Sequence, residues 1–106
     1  MKLLNWGASC LYAGDNLTVL REYVADASVS LVYLDPPFNS EANYSRAGAG
    51  VAFTDIWRWS AESEAGLCQL EAEQPRVGRM LRLMMGAYGP SSLMAYLVMM
   101  APRLVE

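Results

Sequence analysis

The stretch Val29-Ser30-Leu31-Val32-Tyr33-Leu34-Asp35-Pro36-Pro37-Phe38 decides the predicted fold. Apart from Ser30, residues 29–34 are apolar and rich in β-branched and aromatic side chains, which is typical of a strand covered on both faces. The strand should end at Asp35, because prolines lack the N–H donor and restrict the residue before them. The stretch therefore predicts a buried strand that carries the Asp35 carboxylate at its C-terminal edge, where open α/β sheets bind ligands.

The residues before this stretch predict a second strand and a helix. Residues 9–13 form a short apolar run, in which Cys10 is expected to be buried. After Gly14, Asp15 is a favourable N-cap, and the following apolar residues have helical spacing (Leu17, Leu20 and Val24). Strand, helix and strand in this order predict a βαβ crossover with parallel strands, and hence the α/β class.

The residues after Phe38 predict a loop and then helices. Residues 39–50 are rich in Ser, Asn, Ala and Gly and indicate a mobile loop, and residues 53–59 indicate an irregular aromatic segment. Helical spacing begins at Ser60 and is interrupted at Pro75 and at Gly89-Pro90, after which Ser91 or Ser92 can cap a last helix. On the middle helix the arginines are expected to form a solvated face paired with nearby glutamates (Arg76, Arg79 and Arg82).

The domain organisation is expected to be a single partial domain. We predict a catalytic βαβ unit and loop over 1–59 and a helical segment over 60–106. Only two convincing strands are predicted, which is too few for a doubly wound sheet. The chain is therefore expected to be a fragment of a larger fold.

Composition excludes several classes of function. The 106 residues contain no His, which removes Ser/His/Asp and Cys/His nucleophile systems and most zinc sites, so no metal is expected. The formal net charge of −3 argues against a self-sufficient nucleic-acid-binding protein. Two distant cysteines, no signal segment and no apolar run of about 20 residues predict a soluble, cytoplasmic protein without a membrane partner.

The segment Asp35-Pro36-Pro37-Phe38 suggests a specific chemistry. Two prolines fix two φ angles and remove two N–H donors, which leaves the Asp35 carboxylate and the Asp35 and Pro36 carbonyls as a stiff array of acceptors. Such an array suits the exocyclic amine of adenine or cytosine, because accepting both amine hydrogens localises the lone pair on nitrogen for attack on an electrophilic methyl group. Phe38 could stack on the base, a contact worth about 1–3 kcal/mol.

These residues resemble the catalytic motif of the amino-directed DNA methyltransferases, which produce N6-methyladenine or N4-methylcytosine with S-adenosyl-L-methionine. The order of motifs is similar to the circularly permuted subgroup found in bacterial site-specific and Type III modification enzymes. The resemblance covers most of the chain, and it is strongest from Leu11 to Trp59. Its motifs are Tyr12-Ala13-Gly14-Asp15-Asn16-Leu17, Asp35-Pro36-Pro37-Phe38-Asn39-Ser40 with Asn43-Tyr44, and Phe53-Thr54-Asp55-Ile56-Trp57.

The resemblance implies a partial Rossmann-like methyltransferase fold and a role for each motif. It implies catalytic residues at the acceptor segment (Asp35, Pro36, Pro37 and Phe38), a cofactor contact at Asp15, and substrate contacts beyond the segment (Asn39, Tyr44 and Trp57). The implied cofactor is S-adenosyl-L-methionine, and the implied substrate is DNA with its target base flipped out. Asp55 and Trp59 could also wall the site, although large aromatic residues are more often part of a core.

The sequence also departs from the family. Its Gly-rich Phe-x-Gly-x-Gly loop, which contacts the methionine end of the cofactor, does not occur here. An alternative is therefore a non-catalytic remnant, or one half of a split enzyme whose partner is the missing C-terminal half or a restriction-modification subunit. RNA remains open as a substrate, as does the choice between adenine and cytosine. A protein amide is disfavoured, because enzymes of that kind typically carry Asn where this chain has Asp35.

Overall fold

The computed structural model describes residues 2–6, 9–48 and 50–106. The chain divides into two compact units, Met1–Leu34 with Arg103–Glu106, and Asp35–Pro102. The elements in chain order are β1 (Lys2–Trp6), β2 (Ser9–Tyr12), α1 (Asn16–Tyr23), β3 (Asn43–Arg46), β4 (Gly50–Thr54), α2 (Ala61–Glu73), α3 (Pro75–Tyr88) and α4 (Ser92–Val105).

The first unit begins with an antiparallel hairpin of β1 and β2, in which Trp6 lies opposite Ser9. The predicted strand at 9–13 is thus present as β2, but its partner is β1. Cys10 is exposed, so its predicted burial is wrong. The predicted N-cap is confirmed, because the Asp15 carboxylate accepts hydrogen bonds from the backbone N–H groups of Leu17 at 2.9 Å and Thr18 at 3.4 Å.

The predicted strand at residues 29–34 is wrong. These residues are irregular, and their side chains are exposed, with 82% of Leu31 and 91% of Tyr33 accessible to solvent. A strand needs a hydrogen-bonded neighbour and a buried strand needs cover on both faces, and the described residues provide neither. The βαβ crossover is therefore not formed in the described parts of the chain. The wider Rossmann-like fold remains a prediction.

The second unit contains a hairpin where a mobile loop was expected. β3 and β4 pair antiparallel, with Tyr44 opposite Phe53. Two further backbone hydrogen bonds continue the pairing past the strand ends, from Glu41 N–H to the Asp55 carbonyl at 3.0 Å and from Asp55 N–H to the Ala42 carbonyl at 2.8 Å. The prediction of a loop over 39–50 is wrong for β3, because polar Asn and Ser residues can occupy a solvent-exposed hairpin. The prediction of an irregular segment over 53–59 is wrong for Phe53 and Thr54, which pair with β3 as the end of β4.

The helices of the second unit surround its apolar core, which consists of Leu67, Leu70, Leu81, Met94 and Val98. The predicted boundaries are confirmed. Ser60 forms a capping box with Ser63 at the start of α2, and Pro75 occupies the first turn of α3. The Ser91 hydroxyl accepts from Met94 N–H at 3.3 Å at the start of α4.

The α2–α3 contact depends on a glycine and an arginine. A Cβ atom at Gly78 would lie 2.4 Å from the Glu71 Cα, so only glycine allows this approach. Arg82 forms ion pairs with Glu64 at 2.7 Å and Glu71 at 2.8 Å, which confirms the predicted pairing for this arginine. The hydrogen bond and charge of Arg82 outweigh the partial burial of Glu71 and lower its pKa.

Candidate functional site

The segment that follows the apolar stretch is organised by one buried carboxylate. Asp55 comes directly after β4 and accepts hydrogen bonds from three consecutive backbone N–H groups: Phe38 at 3.1 Å, Asn39 at 2.9 Å and Ser40 at 2.6 Å. The Trp57 indole Nε1–H donates a further bond at 3.0 Å. Each carboxylate oxygen therefore receives two donors, which fixes the backbone of the loop after the prolines.

The environment of Asp55 favours its charged form. Only 2% of the residue is exposed. Burial by itself raises the pKa of the Asp55 carboxyl, but the hydrogen bonds from Ser40, Trp57 and Asn39 together outweigh it and move the pKa well below its ordinary value of 3.8. The anion thus replaces its lost hydration with protein donors, as a buried charge must.

A tyrosine from α4 contacts the same loop. The Tyr96 hydroxyl donates a hydrogen bond to the Pro37 carbonyl at 2.7 Å. Its ring meets the Trp57 indole edge to face, with 6.1 Å between the ring centroids and 62° between the planes. Trp57 is thereby fixed both by this ring contact and by its hydrogen bond to Asp55.

A cleft of about 560 Å³ lies beside this loop. Its volume falls within the range of about 300–1,000 Å³ that is usual for small-molecule sites. Phe38, in this lining, is 69% exposed, so a face of its ring is available to a ligand. The residues that line the cleft are Asp35, Pro36, Pro37, Phe38, Tyr44, Thr54, Asp55 and Trp57.

Most of the predicted site residues therefore line one cleft. The four residues of the acceptor segment are joined there by Tyr44 and Trp57. Tyr44 is placed by a hydrogen bond of 2.9 Å between its hydroxyl and that of Ser40. Asn39 is not part of this lining. It adopts a left-handed backbone conformation with φ of 57°, and its buried side-chain oxygen has no hydrogen-bond partner among the residues that the structure describes.

Asp15 belongs to the other compact unit and is engaged within it. Besides capping α1, its carboxylate forms an ion pair with Arg103 at 2.6 Å. Both interactions use the oxygens that would accept from a cofactor. The side chain of Asp15 is still 56% exposed, so its oxygens can accept a further hydrogen bond from a cofactor.

Asp55 has only a weak signal in the sequence, and Tyr96 has none. The signal for Asp55 is its position directly after an apolar run and two residues before Trp57, where a carboxylate at the end of a strand can reach a neighbouring loop. Tyr96 has no local signal, because its partner lies 59 residues away in the chain.

Two further observations concern metals and membranes. Within the described ranges, no three or more Cys, Asp or Glu residues cluster so that they could bind a metal ion. The helices found there are all too short or too polar to cross a membrane.

No protein-family model, no curated protein and no solved structure matches the chain.

Proposed function

We propose that this chain is the amine-binding portion of an amino-directed DNA methyltransferase, an enzyme class that methylates adenine N6 or cytosine N4. The observation that carries the proposal is the acceptor segment beside an open cleft, with its loop fixed by Asp55. Preorganised acceptors favour the reacting state, because they need no rearrangement when the amine arrives. The fold of the complete enzyme would be the Rossmann-like one that the resemblance implies.

The role of each residue follows from its chemistry. The Asp35 carboxylate and the Asp35 and Pro36 carbonyls accept hydrogen bonds from the amine, which keeps the nitrogen lone pair available. Phe38 stacks on the flipped base, and Tyr44 and Trp57 bound the pocket. The Asp55 anion is shielded by its four donors, so it positions the loop and does not compete for the substrate.

The proposed methyl donor is S-adenosyl-L-methionine, which supplies an electrophilic methyl group. We propose that Asp15, whose side chain is partly exposed, accepts a hydrogen bond from it. DNA is the proposed substrate, and the formal net charge of −3 implies that a partner or further segment supplies most phosphate contacts.

The amine-binding role can be tested with matched oligonucleotides. Fluorescence anisotropy would compare single-stranded oligothymidylates that contain one deoxyadenosine or one deoxyinosine, which carries a carbonyl in place of the amine. A second pair would contain deoxycytidine or deoxyuridine. We expect one amine-bearing base to bind about 10–100-fold more tightly than its carbonyl analogue, the effect of a charge-assisted hydrogen bond. Equal affinity within both pairs would contradict the proposal.

Two variants sharpen this test. Asp35→Asn should remove the preference for the amine, because the asparagine amide introduces a donor where the substrate also donates. Asp26→Asn makes the same change of charge at an exposed carboxylate in a turn outside the cleft. This control should keep the preference seen in the unchanged chain.

A split enzyme is a second candidate, and the exposed apolar stretch at 29–34 favours it. Such a surface on a monomer indicates an interaction site. Isothermal titration of S-adenosyl-L-methionine into the chain separates the candidates. Amine preference without cofactor binding would support a split enzyme, whereas saturable binding would contradict it. Loss of both properties would indicate a non-catalytic remnant.

A further inference from the structure

We infer that Tyr96 is a positioning residue that sets the selectivity of the cleft for an amine. This inference rests on the proposed function and extends it to a side chain from α4. Tyr96 does not line the cleft. It acts through the Pro37 carbonyl, to which its hydroxyl donates at 2.7 Å.

Tyr96 and Asp55 bind the two ends of a single peptide group. The Pro37 carbonyl and the Phe38 N–H belong to the same planar unit. Tyr96 donates to the oxygen of this unit, and Asp55 accepts from its N–H at 3.1 Å. Because the two contacts act on opposite ends of one rigid plane, the orientation of the plane about the chain axis is fixed.

Fixing this plane also sets the orientation of Phe38 relative to the acceptors that precede it. Pro36 and Pro37 have rings that restrict φ, so rotation about ψ is the main remaining freedom between Asp35 and Phe38. Because φ of Pro37 is restricted, ψ of Pro37 sets how the Phe38 backbone and ring are oriented relative to the Pro36 carbonyl, and a rotation of the 37–38 peptide would change that relation. Tyr96 restricts that rotation, which keeps the acceptors and the stacking ring in a constant relation.

The hydroxyl also changes which acceptors remain available. One lone pair of the Pro37 carbonyl is used by Tyr96, so this oxygen competes less for a donor on the ligand. The acceptors left for an amine are those of Asp35 and Pro36. The Tyr96 hydroxyl thus favours a base whose amine donates two hydrogens over a carbonyl analogue that donates a single ring N–H.

Tyr96→Phe is the decisive variant, because it removes only the hydroxyl and keeps the ring contact with Trp57. The control is Tyr88→Phe, at an exposed tyrosine near the end of α3. We expect Tyr96→Phe to reduce the affinity ratio between the preferred amine-bearing base and its carbonyl analogue about 5–10-fold, the effect of one hydrogen bond. Tyr88→Phe should leave the ratio unchanged. If the role of Tyr96 were merely structural, Tyr96→Phe would lower the affinity for both oligonucleotides equally and leave the affinity ratio constant.

Two outcomes distinguish failure of this inference from failure of the proposed function. If the unchanged chain prefers the amine and Tyr96→Phe retains the full preference, the inference is wrong and the proposed function stands. If the unchanged chain shows no preference, the proposed function is wrong. In that case, hydrogen exchange of the Phe38 amide still tests whether Tyr96 positions the 37–38 peptide. Faster exchange in Tyr96→Phe than in the unchanged chain would support this role, and equal exchange would overturn it.

Discussion

Two adjacent segments of this chain differ from what their compositions lead one to expect of their backbone order. Residues 29–34 are apolar and strand-forming in composition, yet they are irregular and exposed. Residues 35–40 include two prolines and polar side chains, yet their backbone is fixed by Asp55 and Tyr96. The difference shows that order depends on available partners and not on hydrophobicity alone. An apolar strand needs several neighbours, whereas one carboxylate satisfies three backbone donors.

The largest effect is expected from Asp55→Asn, which removes one of the two acceptor oxygens that hold residues 38–40. Asparagine has the same shape but replaces one acceptor oxygen with a donor that faces other donors. We expect at least about a 10-fold loss of affinity for an amine-bearing oligonucleotide. The midpoint of thermal unfolding, measured by circular dichroism, should fall by about 5 °C or more.

The matched control for this variant is Asp26→Asn, which makes the same change at an exposed turn. It should alter neither affinity nor the thermal midpoint measurably. An Asp55→Asn protein with unchanged affinity would show that the loop after the prolines is ordered by other contacts.

Low pH should destabilise the backbone hydrogen bonds of residues 38–40. The pKa of Asp55 is lowered in the folded state, so its contribution to stability is fully present above the ordinary value of 3.8 and is lost as the pH falls below it. Amide exchange at Phe38, Asn39 and Ser40, corrected for intrinsic rates, should therefore lose protection progressively below about pH 4. In Asp55→Asn this pH dependence should be much weaker. An identical pH profile for both proteins would contradict the assignment.

The smallest change in the free energy of unfolding is expected for a substitution in residues 29–34. Leu31→Ala should change the free energy of unfolding by no more than about 0.5 kcal/mol, because the side chain is already exposed. Leu67→Ala, in the buried core of the second unit, should cost about 2–5 kcal/mol. Urea denaturation measures both. A cost at Leu31 similar to that at Leu67 would show that residues 29–34 are buried in solution.

Local features of the fold could be predicted from the sequence. The caps at Asp15 and Ser60 and the helix start at Pro75 depend on residues within one turn, so their signals are contained in a few positions. The strand at 29–34 was predicted wrongly because a strand depends on neighbours that the local pattern does not reveal.

The candidate site was predictable only in part. Its chemical groups follow from the Asp35-Pro36-Pro37-Phe38 segment, which lines the cleft. The residues that orient the segment do not follow from it, because they lie far along the chain. Asp55 is 17 residues from Phe38, and Tyr96 is 59 residues from Pro37. Single-sequence patterns contain no information on such pairs.

The exposure of residues 29–34 has a consequence for the protein in concentrated solution. Val-Ser-Leu-Val-Tyr-Leu is a six-residue segment with high β-propensity, no charge and no proline, which is the signature of cross-β fibrils. Identical copies of this segment on separate molecules can stack in register, with interdigitated apolar side chains. Fibril formation, followed by thioflavin fluorescence, should therefore compete with the folded state, and Val32→Lys should suppress it.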